Sequence, residues 1–308
     1  MTNLQKLGAP RRRALPLLVA AAFTAITLVG CSTPAAEPTP EETTGGVVED
    51  IRAMLPEDIQ DSNVIRVGIT VDDPPFMSKD GNTPVGIIPD LAAAISEVLG
   101  VEIEYQEMPF PGLIPAVQAD KIDLVWSSMF ATFERQKVLD FVPFVHASYG
   151  MVVQKGNPLD IQSLDDLCGT VSSTTRATVM ATALEEQQAK CIEDGEEELV
   201  VNLYDSQSAG QLQLQAGVVS SFVGTALPLR YLADHAGGGD VFEVVDATYP
   251  LGLLALGAPN TDPDMALAFK AALEHIIESG QYQEILDAHN AGSEALELDE
   301  VKINPATF

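Results

Sequence analysis

Three hydropathy regimes follow one another along this 308-residue chain. The first is an apolar run over residues 14–29, preceded by Lys6, Arg11, Arg12 and Arg13 and leading directly into Gly30 and Cys31. Broken by Pro16, it falls short of the ~20 residues that span a bilayer, and with its basic lead it reads as the n-region and h-region of a secretory signal covering residues 1–30. The second regime, residues 31–50, is rich in Pro, Thr, Ala and Glu with almost no large apolar side chain. It cannot bury enough surface to order itself and reads as a disordered tether. The third, roughly 258 residues, has the mix of a folded domain, and no second apolar run is long enough to cross a membrane.

Within the third regime the period of the apolar positions changes repeatedly. Residues 64–71 (VIRVGITV) are β-branched and end at Asp72-Asp73-Pro74-Pro75, the pattern of a strand entering a rigid loop. Leu91, Ile95, Val98 and Leu99, spaced by three and four and closed by Gly100, predict a helix that opens near Pro89. Residues 101–105 predict a strand, 112–119 a helix and 122–126 another apolar strand. Strand, helix, strand, helix, strand implies a parallel α/β sheet, whose ligands sit beyond the carboxyl ends of the strands; Asp72, Asp73, Ser127 and Ser128 are placed to face one. Near the end, Thr261-Asp262-Pro263-Asp264 carries a capping residue, an early proline and acids of a first turn, ahead of Met265, Phe269, Leu273 and Ile276. A helix running to Gly280 is expected, with a second over residues 281–289.

Charge and cysteines change the picture. The formal net charge is −29, and removal of residues 1–30, which hold four basic residues and no acid, makes it −33. Such a surface repels phosphate backbones and anionic headgroups, so no nucleic-acid partner is expected and membrane attachment must come from a lipid. The Leu28-Val29-Gly30-Cys31 box supplies that lipid site, with Cys31 as the modified first residue of the mature chain. Cys168 and Cys191 are then left in an oxidising compartment, where a disulfide is the default. A two-cysteine metal site lacks a flanking His or third Cys, and two inert thiols are the remaining alternative. Glu185, Glu186, Glu193, Asp194 and Glu196 to Glu198 read as a solvated face, since no EF-hand spacing accompanies them. His146, His235, His275 and His289 are isolated, and no nucleophile, nucleotide-loop or metal-ligand spacing points to other chemistry, so no metal and no cofactor are expected.

An ordered set of landmarks resembles the family 3 extracellular solute-binding proteins, the receptor components of ABC importers for polar amino acids. They run from Arg66-Val67-Gly68 and Pro74-Pro75-Phe76 through Gly86, Asp90-Leu91, residues 113–118 (LIPAVQ) and Lys121-Ile122-Asp123-Leu124. Thr132-Phe133-Glu134-Arg135, Asp140-Phe141, residues 164–169 (LDDLCG) and residues 280–286 (GQYQEIL) follow. The resemblance implies a type II periplasmic-binding-protein fold, two α/β lobes joined by two crossover strands. Residues 51–147 with 248–308 would form one lobe and 148–247 the other. The ligand would be trapped between them by hinge closure.

Residue by residue, Arg135 falls on the family arginine that pairs with the ligand α-carboxylate, a task suited to its planar fork of donors. Ser128 and the backbone at Phe130 match the segment supporting that carboxylate. Ser173-Thr174-Thr175 resembles the Gly-Thr-Thr turn of the other lobe, with Ser173 in place of the glycine. Asp73 stands where the family often has an aromatic residue, and Phe110 forms an apolar wall able to face a cation. Residues 215–225 (QAGVVSSFVGT) depart from the family pattern: Thr225 occupies the place of the aspartate that holds the α-ammonium. Either Asp73, the one cleft acid the sequence nominates, compensates from the other lobe, or the ligand is not an ordinary α-amino acid. The resemblance implies a lipid-anchored, extracytoplasmic, monomeric binding protein, not an enzyme, handing an amino acid or related carboxylate to ABC permease subunits. A cyclohexadienyl-dehydratase-like enzyme and a permease-independent sensory or scavenging lipoprotein are the alternatives.

Overall fold

A computed structural model describes residues 46–245 and 249–305. The chain divides into two units, Met1–Glu42 and Thr43–Phe308, and the account below concerns the second. The expected export signal, Cys31 and most of the tether lie outside the described residues.

Order begins earlier than the tether reading allowed. Val48 N–H donates to the Val98 carbonyl at 2.9 Å, and α1 (Glu49–Arg52) starts at once. Arg52 Nη1 then caps the neighbouring helix end, donating to the Leu99 and Gly100 carbonyls at 2.8 and 2.7 Å. Residues 46–50 are thus part of the fold, held by Val48 and Ile51 packing against the core. Two apolar residues in a polar stretch are too few to show as periodicity.

After α2 (Glu57–Ser62) come β1 (Val64–Ile69), the hairpin β2 (Ser78–Asp80) and β3 (Thr83–Val85), α3 (Ile87–Leu99), β4 (Glu102–Glu107), α4 (Leu113–Gln118) and β5 (Leu124–Val125). The long β6 (Leu139–Gln154) leads to β7 (Val171–Thr175), α5 (Val179–Glu193), β8 (Val200–Tyr204), α6 (Gln207–Gln215), β9 (Ser221–Thr225), α7 (Ala226–His235) and β10 (Phe242–Val244). The chain returns through β11 (Leu251–Pro259), α8 (Asp264–Glu278) and α9 (Gln281–Ala288). The strand order is β4-β1-β5-β11-β6-β9-β7-β8, with β10 also on β6. As expected, β1 lies parallel between β4 and β5. In the second lobe β7 lies parallel between β8 and β9.

Strand β6 belongs to both lobes. Its first half pairs antiparallel with β11, from Leu139 opposite Pro259 to Ser148 opposite Leu251, and its second half pairs with β9, from Tyr149 opposite Thr225 to Val153 opposite Ser221. One covalent strand thus pairs with both groups of strands.

Helix α3 shows how local sequence sets this frame. It starts two residues before Pro89, which its first turn tolerates because the proline needs no hydrogen-bond partner there. Gly86 precedes it at φ 132°, where a Cβ would sit 2.5 Å from the Pro75 carbonyl, so only glycine fits. Gly100, left-handed at φ 64°, ends it. Ile87, Ile88, Leu91, Ile95, Val98 and Leu99 are all buried, each stabilising the fold by roughly 1.5–3 kcal/mol. Beside them Trp126 meets Phe144 and Phe269 edge-on, both at 6.0 Å. The buried Tyr282 hydroxyl donates to the Phe144 carbonyl at 2.8 Å and accepts from Leu296 N–H, tying α9 to β6. Helix α8 opens at Asp264, later than Thr261; the acceptor near its start is Asp262, whose Oδ1 takes the Asp264 N–H.

Cys168 and Cys191 form a disulfide that fastens the turn before β7 to α5. The acidic residues around Cys191 are exposed, as the sequence suggested. Among the described residues no helix is long and apolar enough to cross a membrane.

Candidate functional site

The carboxyl ends of the parallel strands of both lobes converge on one cavity of about 580 Å³. Thr70 and Asp72 follow β1, Glu107 closes β4, and Ser128 follows β5. From the other lobe Thr175 closes β7, Asp205 follows β8 and Thr225 closes β9; all seven line the cavity. This is the placement that open α/β sheets give their ligands, because side chains at strand ends escape the sheet and helix N-termini gather there. Met108, Phe110 and Val223 add apolar wall.

Thr70 Oγ1 and Ser127 Oγ share a hydrogen bond of 2.8 Å, which fixes the floor between β1 and β5. Thr174 spends its hydroxyl on the Val223 carbonyl at 2.8 Å and so offers the cavity no hydroxyl donor. The Thr175 hydroxyl is buried without a partner among the described residues, which leaves it for a ligand. Thr225, 1% exposed, stands on the wall in the position read as that of the missing aspartate.

Three acids on the wall set its charge. Asp72 accepts the Ser208 N–H at the start of α6 at 3.2 Å. Asp205 is paired with Arg176 at 3.1 Å, and Glu107 with Lys79. Among the described residues that line it, none is Lys, Arg or His. Asp205 and Glu107 went unnoticed in the sequence, although the strand-end rule that singled out Asp72 applies equally to them. Glu107 falls outside the strand expected over residues 101–105, and no strand is expected over residues 200–204, although Pro109 and Asp205-Ser206 mark where the two strands end.

Ser127, Asp73, Phe130 and Arg135, all expected beside the ligand, are not among the residues that line this cavity. Asp73 is buried and does not line the cavity; its backbone pairs with Met77, and its carboxylate accepts from Ser128 Oγ and, across the cleft, from Gln207 Nε2. Burial pushes its pKa up to about 7 against the pull of both donors, with Asp72 adding like-charge repulsion. It is therefore neither an open partner for a ligand ammonium nor the one acid in the cleft. Phe130 is 2% exposed, its side chain in the core and its carbonyl accepting from Arg135. Arg135 lies behind the wall. Its Nη1 donates to the Phe130 carbonyl at 2.7 Å and its Nη2 to the Ala177 carbonyl of the other lobe at 2.9 Å, while its Cζ sits 5.5 Å from the centre of the Phe110 ring. With no carboxylate in ion-pair reach among the described residues, the guanidinium takes carbonyl oxygens, and burial lowers its pKa to about 10.

A family model described as bacterial extracellular solute-binding proteins, family 3, matches residues 65–291. The arginine-binding protein ArgT of Corynebacterium glutamicum is 28% identical over 300 residues, covering 95% of this chain and 96% of that protein. The L-arginine-binding protein of Pseudomonas aeruginosa is 30% identical over 233 residues, 73% of this chain and 87% of that one. Among solved structures, an ancestral amino acid-binding protein titled as a precursor of cyclohexadienyl dehydratase superposes with a TM-score of 0.68 at 26% identity, covering 76% of this chain and 98% of its own.

Proposed function

The chain belongs to the bacterial extracellular solute-binding proteins of family 3, and from that premise we propose that it captures a basic α-amino acid such as arginine and presents it, from a lipid anchor at Cys31, to an ABC permease. The observation that carries this reading is the wall charge: Asp72, with no ion-pair partner among the described residues, lines the cavity beside Glu107 and Asp205, whose partners Lys79 and Arg176 are not among the described residues that line it. A cationic ligand gains where a neutral or anionic one does not, because like-signed walls focus their field into a cleft. Both relatives named above are themselves described as arginine-binding.

The carboxylate end would lie toward Arg135 and Thr175. A ligand carboxylate reaching Arg135 would compete with the Ala177 carbonyl for the same donor, and the partnerless Thr175 hydroxyl would complete the cradle. The ammonium would be held from Asp72 or Asp205, since the Thr225 hydroxyl offers only a neutral acceptor. An enzymatic reading on this fold needs a proton donor in contact with the ligand; Asp73, the carboxyl with the shifted pKa, is instead buried with both oxygens engaged.

Isothermal titration of the soluble mature domain against arginine, lysine, ornithine, histidine, glutamine and glutamate tests the proposal. Submicromolar binding of one or more basic amino acids, with glutamate silent, is expected. Preference for glutamate or for uncharged sugars would overturn it.

A further inference from the structure

Among the side chains that join the two lobes, the Asp73 carboxyl group is the most thoroughly buried. From the first lobe the Ser128 hydroxyl donates to Oδ2, and from the second the Gln207 amide donates to Oδ1. Gln207 lies in the first turn of α6, whose Ser206 cap hydroxyl accepts from Ala209 N–H and fixes the helix start against the cleft. Next door, Asp72 accepts the Ser208 amide across the same gap. The junction is one donor short: Gln207 Oε1 is buried with no partner among the described residues. A proton on the Asp73 carboxyl would supply that donor, turning the single amide contact into a reciprocal acid–amide pair.

We propose that Asp73 is a positioning residue for cleft closure, latching the lobes together through Gln207 and taking up a proton as they close. It acts on the lobes and not on the ligand, which separates this role from the binding reading above. When the lobes part, Gln207 leaves with α6 and the carboxyl meets water, where it ionises as an ordinary carboxylate. When they meet, the group loses that water and keeps only two donors.

The charged surroundings fit this account. Asp72, on the same loop, disfavours a second negative charge. Asp205, at the approach to α6, is ion-paired with Arg176, and Glu107, at the end of β4, with Lys79, both at exposed positions. The segment after β5 brings Ser127 and Ser128, and later in the chain Glu134, paired with Lys137, and Arg135, whose guanidinium is engaged by the Phe130 and Ala177 carbonyls. Because the pKa of this group is raised in the closed form, closure is favoured below the raised value and loses that support as pH rises through about 7. With an ordinary carboxylate in the open form, the closed-to-open ratio should fall by about 25-fold between pH 5.5 and pH 7.5.

Small-angle X-ray scattering of the ligand-free mature domain at those two pH values reads closure without reference to any ligand, so its outcome is independent of the basic-amino-acid assignment. The wild type should show a smaller radius of gyration at pH 5.5. Asp73→Asn, whose amide is a permanent donor, should stay compact at both. Gln207→Met, which leaves the Asp73–Ser128 bond of the first lobe in place, should stay extended at both and serves if the first variant does not fold. A wild type with the same radius at both pH values, or a variant that keeps the wild-type shift, would overturn the latch.

Discussion

Replacing Arg135 with alanine separates two roles that the structure gives one side chain. The guanidinium bridges the lobes, donating to the Phe130 carbonyl at 2.7 Å and the Ala177 carbonyl at 2.9 Å while lying over Phe110 at 5.5 Å. The bond to Ala177 is exposed and the bond to Phe130 only partly buried, so water can take over both carbonyls when the side chain is removed. Each hydrogen bond is then worth about 1 kcal/mol net, and the ring contact about 0.5 kcal/mol. The sum, about 2.5 kcal/mol, lowers the Tm of a unit this size by roughly 5 °C. Ligand binding adds a second, independent quantity. At 100 times its Kd, a ligand raises stability by about 2.7 kcal/mol, again roughly 5 °C. If the ligand carboxylate pairs with Arg135, its loss costs about 3 kcal/mol or more of affinity, and the ligand-induced shift at the same concentration falls nearly to zero. Differential scanning fluorimetry with and without L-arginine gives both numbers in one experiment. Arg135→Lys, which keeps the charge but not the fork, should recover only part of the ligand shift. An alanine variant that keeps the full ligand-induced shift would refute the carboxylate role, and one with an unchanged ligand-free Tm would refute the bridging role.

Three other outcomes are expected. Thr225→Asp puts a carboxylate on a wall whose described residues include no basic side chain, so the protein without ligand should lose about 1–3 kcal/mol, while affinity for α-amino acids rises tenfold or more if their ammonium reaches this position; calorimetric titration showing no gain would place the ammonium away from Thr225. Replacing Cys168 and Cys191 together with alanine removes a link between residues 23 apart in sequence, and urea denaturation should report a loss of roughly 3 kcal/mol. Cys31→Ala, expressed in the native host, should leave the precursor unprocessed or release the protein from membranes, whereas a variant of unchanged size that stays with the membrane fraction would contradict lipidation.

Local chemistry made much of this fold legible in the linear chain. Helix α3 was readable from the spacing of Leu91, Ile95 and Leu99 and the Gly100 stop, because a helix in a sheet protein must present one apolar stripe and end where its backbone can turn left-handed. The parallel order of β1, β4 and β5 followed from alternating elements. The Cys168–Cys191 pair followed from cysteine arithmetic in an exported chain. Strand-end logic then located Asp72, Ser128 and, through the resemblance, Thr175 and Thr225 on the cavity wall.

What the sequence left undecided depends on contacts between segments far apart in the chain. Asp73 and Asp72 are adjacent and chemically alike, yet one is buried against Ser128 and Gln207 and the other lines the cavity. Successive residues leaving a strand point to opposite sides, and only the docking of α6, more than 130 residues away, decides which side becomes interior. Asp205 and Glu107 join the site because two separate strands end at the same gap. Arg135 turns to the Ala177 carbonyl because the second lobe brings that oxygen within 2.9 Å. Composition and periodicity report what a segment does with its own neighbours; the charge of the cleft and the burial of its latch arise only when β6 carries the chain from one lobe into the other.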